Sequence, residues 1–330
     1  MKAPNVFSAT PPASQKRRQK PGSLSGRNLG LPYASPQAIW FTLFFLAPIG
    51  IIIVYSFLRR GLYGGVMPEF SLEAYRFLGN RVFLSITLRT LITAIIATII
   101  TIFIALPCGY YMAKSKHQNF LLLLVIIPFW TNFLIRVFAW MNILGSSGFL
   151  NEFLMFVGLI DSHIQFLYNQ RVVVLVLVYM YLPYAILPLF SSIDKFDFSL
   201  LEAARDLGAP KTVSMIKVLL PNIRGGILTA VLFTFIPIFG AYAVPLLVGG
   251  MDSYMLGNII ADQLSKSRNW PRAAAISMVL TLVTTAGILL MMNIQRRDAS
   301  RLADVPAVET GEIENGNGFH ASLEGTGGRV

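Results

Sequence analysis

The residues with the clearest claim to a specific task lie in one polar stretch, 197–221, which reads DFSLLEAARDLGAPKTVSMIKVLLP. Its chemistry is mechanical rather than catalytic. Ser199 and Glu202 have the S-x-x-E spacing of a helix capping box. Leu200, Ala203, Ala204 and Leu207 recur at i, i+3, i+4 and i+7 and so share one helix face. Two alanines give that face little bulk, which suits a groove on a partner. Gly208 is placed to end the first helix with a positive φ, Pro210 to begin a second, and Pro221 to stop it. On local physics alone, an ordinary helical hairpin on a membrane surface, with Glu202 a mere cap, is the favoured account of the stretch.

The other reactive side chains are more telling for where they are absent. All 16 Asp and Glu residues fall outside the long apolar stretches, and His117, His163 and His320 lie in loops or the tail. Proton-driven carriers place ionisable groups at membrane depth. Intramembrane hydrolases need a nucleophile with a base, or a metal. Neither inventory is present, although sodium coupling through backbone carbonyls stays open. The single cysteine, Cys108, excludes an intramolecular disulfide framework and any CxxC motif. No G-x-x-x-x-G-K-[ST] occurs, so the chain is not expected to bind or hydrolyse ATP or to hold any other cofactor.

These residues must be positioned by elements that sit in lipid. Of 330 residues, 55% are hydrophobic and 13% charged, and the mean hydropathy is +0.62. Soluble domains carry about 25% charged residues, and a disordered chain needs few apolar ones. A bilayer core of about 30 Å takes roughly 20 apolar residues in a helix. Six stretches qualify: 38–58, 83–112, 120–144, 172–192, 225–248 and 273–294. The first is too long for a cleaved signal core and runs directly into Arg59 and Arg60. Prolines interrupt every stretch but the last, at Pro48, Pro107, Pro128, Pro183, Pro188 and Pro237, with Pro245 near an end. Such kinks suit a structure that opens and closes. Arg89 and Arg136 fall within stretches, near ends from which a long side chain snorkels or pairs.

Six spans put both ends of the chain on one side. With that side cytoplasmic, the inner segments hold 17 Lys and Arg and the outer segments 8, so the positive-inside rule places both termini in the cytoplasm. The formal charge of +11 is therefore mostly a topology signal, and no nucleic-acid partner is expected. Residues 1–36 are basic and rich in Pro, Ser and Gln, whereas 298–330 end rich in Gly, Glu and Asn. Both are expected to be disordered cytoplasmic segments flanking a transmembrane domain over 37–297.

Glu202, Ala203 and Ala204, then Gly208, then Leu220 and Pro221 give the 197–221 stretch a specific order. It resembles the EAA loop of bacterial ABC-importer inner-membrane permeases, the MetI-like family. The resemblance implies an all-α polytopic membrane protein with six transmembrane helices and a cytoplasmic coupling-helix loop. It implies that Glu202, Ala203, Ala204, Leu207 and Gly208 contact a cytoplasmic ATPase dimer, which would hold the ATP and Mg. It further implies a second permease subunit, a periplasmic solute-binding protein, and placement in the lipid of the bacterial inner membrane. Many members have a further proline before the next span, where Arg224, Gly225 and Gly226 stand here.

A second resemblance narrows the family. The run Pro128 to Arg136, the run Gly148 to Leu154, Asp161, Ser191 to Asp194, and Asn269 to Pro271 are similar to permeases for spermidine and putrescine. That implies uptake of a polyamine or a related small organic solute, with the second permease a different chain. Cation–π faces for such a cargo would come from Trp130, Tyr181, Tyr184 and Tyr242, with Asn132 as a polar contact. Tyr181 and Tyr184 share a helix face. Packing and interfacial anchoring are the ordinary duties of the same residue types. Polyamine members tend to carry an acidic residue just before the Gly-Gly that closes span five. Leu246, Leu247 and Val248 precede Gly249 and Gly250 here, which opens the way to opine-like or amino-acid-like cargo. The rival classes are a self-contained carrier or channel, and a non-transporting scaffold that docks some other protein on the loop.

Overall fold

The structure, a computed structural model, describes residues 30–303. Of the expected tail segments 1–36 and 298–330, residues 1–29 and 304–330 lie outside the described residues, while 30–36 and 298–303 are helical. The chain divides into two compact units, 1–51 and 52–330. Within the described residues the first holds α1 (Gly30–Phe41), a π-helical turn (Thr42–Leu46) and the start of α2 (Ala47–Ser56). Aromatic rings pair along this stretch, Trp40 tilted against Phe44 at 4.3 Å and Phe41 stacked on Phe45 at 5.1 Å.

The second unit opens with an antiparallel hairpin, β1 (Leu58–Arg60) and β2 (Val66–Phe70), that an all-helical reading did not foresee. Gly64 and Gly65, both at positive φ, supply the turn. Next come α3 (Glu73–Leu78), α4 (Arg81–Lys114), α5 (Gln118–Ile126), α6 (Phe133–Leu144), α7 (Phe149–Phe156) and α8 (Gln170–Asp194). The 197–221 stretch forms α9 (Ser199–Asp206), α10 (Lys211–Ser214), a π-helical turn (Met215–Leu219) and α11 (Leu220–Asn222). The chain closes with α12 (Arg224–Phe239), α13 (Ala243–Val248), α14 (Leu256–Ser265) and α15 (Trp270–Ala303).

Among the described residues, five helical stretches are long and apolar enough to cross a membrane: Ser35–Ser56, Arg81–Lys114, Phe133–Phe156, Gln170–Asp194 and Trp270–Asn293. A sixth arises if the pair Lys211–Asn222 and Arg224–Phe239, bent by 73°, counts as one. The all-α polytopic architecture therefore holds, but two expected spans are not continuous helices. Residues 120–144 divide into α5, a 3₁₀ turn (Ile127–Trp130) and α6. The chain is extended at Thr131 and Asn132, because Pro128 has no N–H to give and Asn132 caps a fresh helix start. Residues 225–248 divide at Gly240 and Tyr242. At about 1.5 Å per residue, the 16 residues of α12 rise ~24 Å, short of a bilayer core of about 30 Å.

α8 is the central post. It packs against α4 and α12, which also pack against each other. Gly226 permits the close approach of α12, since a Cβ there would stand 2.3 Å from Ser192 Cβ. Asparagines start the helices at the end remote from the 197–221 stretch. Asn80 accepts from Val82 N at 3.0 Å, Asn169 from Val172 N at 3.1 Å, and Asn269 from Arg272 N at 3.1 Å. Each satisfies a donor that the first helical turn leaves open.

Candidate functional site: the loop between α8 and α12

The loop is fastened by apolar contact. Leu201, 1% exposed, sits in a cluster with Ile193 of α8, Leu219, and Ile223 at the bend. Tyr110 and Ala113 of α4, with Phe196 and Phe198, pack around it. Lys114 Nζ, at the end of α4, lies 5.0 Å from the Phe198 ring centre and 5.6 Å from that of Tyr110, within cation–π range. α9 is thus anchored to the ends of α4, α8 and α12 together.

The start of α9 corrects the expected capping box. The helix begins at Ser199 itself, and the Ser199 N–H donates to Asp197 Oδ1 at 3.0 Å. A carboxylate two residues upstream closes this turn on itself, which displaces the serine–glutamate arrangement. Hydrogen bonds from the Ser199 side chain and backbone hold the Asp197 carboxyl below its ordinary range. Glu202 lies in the first turn, where a carboxylate also suits the helix dipole.

The stop falls where the spacing places it. Gly208 has φ +87°. Its N–H donates to Arg205 O at 2.8 Å, while Ala209 N–H donates to Ala204 O at 3.1 Å. This pair of bonds is a Schellman motif. Pro210 then precedes α10 with φ −64°. Pro221 does not itself end the second helix, which passes through the π turn at Met215–Leu219 and runs one residue beyond the proline, to Asn222. Asn222 Nδ2 donates to Val218 O at 2.7 Å just before the 73° bend.

The expected docking face is mostly open. Leu207 is 89% exposed and Leu200 46%, with Ala203 and Glu202 exposed and Ala204 half-buried. Leu201 and Phe198, which the sequence reading passed over, prove to be the anchor. The signal was a second apolar pair at i, i+3 on the opposite side of the same short helix.

Two of the aromatic candidates are in contact with each other. Tyr181 and Tyr184 are neighbours at 5.8 Å, and Tyr184 meets Phe129 edge-on at 5.0 Å. The Arg136 guanidinium lies over Phe129 at 5.2 Å, so Arg136 extends this row across the break between α5 and α6. Asn132 spends its side chain on Leu134 N at 2.8 Å, as the α6 cap. Trp130 is 83% exposed, and Tyr242 is exposed at the start of α13, its carbonyl taken by Asn258 Nδ2 at 3.1 Å. Arg89 donates to the Asp252 carbonyl, which gives it structural pairing. Asn151, from one of the motif runs, is buried with three bonds of 2.9 Å to Gly145 O, Ile164 O and Ile164 N. Among the described residues, no three His, Cys, Asp or Glu side chains gather to hold a metal.

A bundle of apolar helices around α8, carrying an anchored polar loop with an exposed small-residue face, is the arrangement of a membrane permease subunit. The chain belongs to the family described as binding-protein-dependent transport system inner membrane component, which matches residues 105–302. It is 38% identical over 255 residues to the spermidine/putrescine transport system permease protein PotB of Escherichia coli (strain K12), covering 77% of this chain and 92% of that one. It is 32% identical over 248 residues to the inner membrane ABC transporter permease protein YdcU of the same organism, covering 71% and 79%. In fold it is similar to a chain of a bacterial alginate ABC transporter solved with an alginate-pentasaccharide-bound periplasmic protein. There the TM-score is 0.66 at 17% identity, over 81% of this chain and 94% of that one.

Proposed function

We propose that this chain is the solute-conducting subunit of an importer for a polyamine, or a related small organic solute, driven by a separate ATPase. The loop geometry carries the reading. α9 is rigidly rooted through Leu201, stopped by Gly208, and presents Leu200, Ala203 and Leu207 outward. A short helix held this way moves as one body with α4, α8 and α12, so force on its exposed face reaches the spans. Glu202, Ala203, Ala204, Leu207 and Gly208 meet the ATPase dimer, on the cytoplasmic side with both termini. A periplasmic binding protein delivers solute to the opposite face, and solute crosses between this chain and a second, different permease. Trp130, Asn132, Tyr181, Tyr184 and Tyr242 are the candidate pathway contacts, of which the Tyr181–Tyr184–Phe129 row has the geometry best suited to a cation.

Glu202→Lys and Gly208→Pro test the coupling. Proline cannot adopt the φ of +87° at position 208. Both variants should lose the ATPase on co-purification and lose uptake, while the spans stay folded. Normal capture and uptake in both would sink the assignment.

A second cargo reading rests on one observation. Leu246, half-open at the end of α13, and the buried Val248 stand where a carboxylate would suit a polycation. Opine-like or amino-acid-like solutes need no such group. Thermal-shift screening of the cognate binding protein against polyamines, opines and amino acids decides between them. Stabilisation by polyamines alone retires the second reading, and a hit confined to the others retires the first.

A further inference from the structure

Arg89 brings an unmatched charge to the end of the bundle remote from the 197–221 stretch. It lies in α4 one turn before Thr93, whose Oγ1 accepts a hydrogen bond from the side chain of Gln170, the first residue of α8. That bond sets Arg89 level with the start of α8. The guanidinium donates to the carbonyl of Asp252, in the 3₁₀ turn Met251–Ser253. This turn is itself fixed: Ser253 N–H donates to Gly250 O at 2.9 Å, and Tyr168 N–H donates to Val248 O at 2.8 Å just before it. A guanidinium has five N–H donors, and a single carbonyl neutralises none of its charge. No ion pair among the described residues involves Arg89.

An open pocket of about 310 Å³ lies beside it, with Ser85, Leu88, Ile92 and Gln170 among its walls. Arg89 is the one charged residue in the lining, which holds no Asp or Glu. The Gln170 amide nitrogen is spent on Thr93, and Thr93 Oγ1 donates to Arg89 O at 2.7 Å. Arg89 and the exposed Ser85 are therefore the donors left to meet a ligand.

We infer that this pocket is a carboxylate subsite at the outer mouth, and that Arg89 selects a solute carrying a carboxylate over a bare polycation. The inference rests on the importer reading above and, within it, favours the second class of cargo. An ionisable group at a membrane mouth with no counter-charge marks a solute route. A planar guanidinium pairs with a carboxylate through two parallel bonds, and its fixed charge repels a polyamine by the same Coulomb law. Leu88 and Ile92 offer apolar walls to a carbon skeleton. A lipid phosphate has the same oxyanion chemistry, and the test separates the two sources.

The full-length chain is placed in phosphatidylcholine liposomes with Leu88→Cys in a Cys108→Ser background. Tyr63→Cys, at the exposed hairpin tip, is the reference site. Each thiol is reacted with an anionic methanethiosulfonate (sulfonatoethyl) and a cationic one (trimethylammonioethyl). Relative to position 63, position 88 should favour the anion about three- to tenfold, as expected of one nearby charge in water. Arg89→Gln should abolish that preference and Arg89→Lys should retain it. Ornithine and putrescine differ by one carboxylate, and millimolar ornithine should slow the anionic reagent at position 88 while putrescine does not. No reaction at position 88 would mean a face sealed by lipid and would overturn the inference. So would a preference that Arg89→Gln leaves unchanged, or protection by putrescine, or protection by neither solute. Loss of the preference on adding phosphatidylglycerol, with position 63 unaffected, would assign the site to a lipid phosphate and overturn the solute reading. No ATPase is present in these liposomes, so the results stand apart from the importer reading, which Glu202→Lys tests through ATPase capture.

Discussion

The two ends of the helical bundle are held by different physics. At the loop end, α9 is fastened by an apolar cluster around Leu201, Ile193, Leu219 and Ile223, with Lys114 laid over Phe198 and Tyr110. At the far end, directional bonds do the fastening: Asn80, Asn169 and Asn269 cap helices, and Asn151 ties Gly145 to Ile164. Thr90 Oγ1 accepts from Leu256 N at 3.0 Å, and Asn258 bridges Met255 N and Tyr242 O. Hydrogen bonds fix one geometry, because a displaced donor loses its partner outright. Apolar contact is non-directional and tolerates small shear. The loop end is therefore tied to α4, α8 and α12 by packing, and the far end by bonds that fix its register.

The contrast predicts effects of different size and different readout. Leu201→Ala should be the most damaging, at about 2–5 kcal/mol for a buried leucine. The loss should fall on the loop alone. ATPase capture should drop, and proteolytic cleavage between Asp197 and Pro221 should rise, while the melting of the spans barely shifts. A global fall in melting with no change at the loop would contradict the division.

Asn151→Ala comes next, at about 1–3 kcal/mol for backbone groups left without partners. It should do the reverse. Cleavage within 145–164 should rise, and ATPase capture should stay normal. Equal sensitivity of both readouts to Leu201→Ala and Asn151→Ala would mean that the two ends are one cooperative unit.

Much of this division was legible in the sequence. The apolar stretches gave the spans because hydrophobic length is the dominant constraint in lipid. Gly208 gave the helix stop because few other residues take a φ of +87°. The breaks at Asn132 and Gly240 were hidden, because Pro128 and Pro237 mark where a helix is weakened and not whether it resumes. Leu201 was missed because the docking face and the anchoring face of an eight-residue helix alternate within one apolar run. The Asn151 bonds could not be read at all, since they depend on a turn between 145 and 164 that brings distant carbonyls together.

The smallest effect concerns the first turn of α9. Asp197 is fully exposed, and its carboxyl lies below its ordinary range because Ser199 donates to it. A depressed carboxyl favours the folded turn while it is ionised. Its contribution is complete above the ordinary carboxylate range and disappears as pH falls through the lowered value. Acidification should therefore lower the protection factor of the Ser199 amide, whose N–H donates to that carboxylate, relative to its intrinsic exchange rate at each pH. The amides of Met255, Val82 and Val172, which donate to uncharged asparagine side chains, should hold their protection factors over the same range. Asp197→Asn keeps an acceptor but removes the titration, so it should abolish the pH step at Ser199. Persistence of the step in that variant would place its origin in another carboxylate and remove Asp197 from the loop's start.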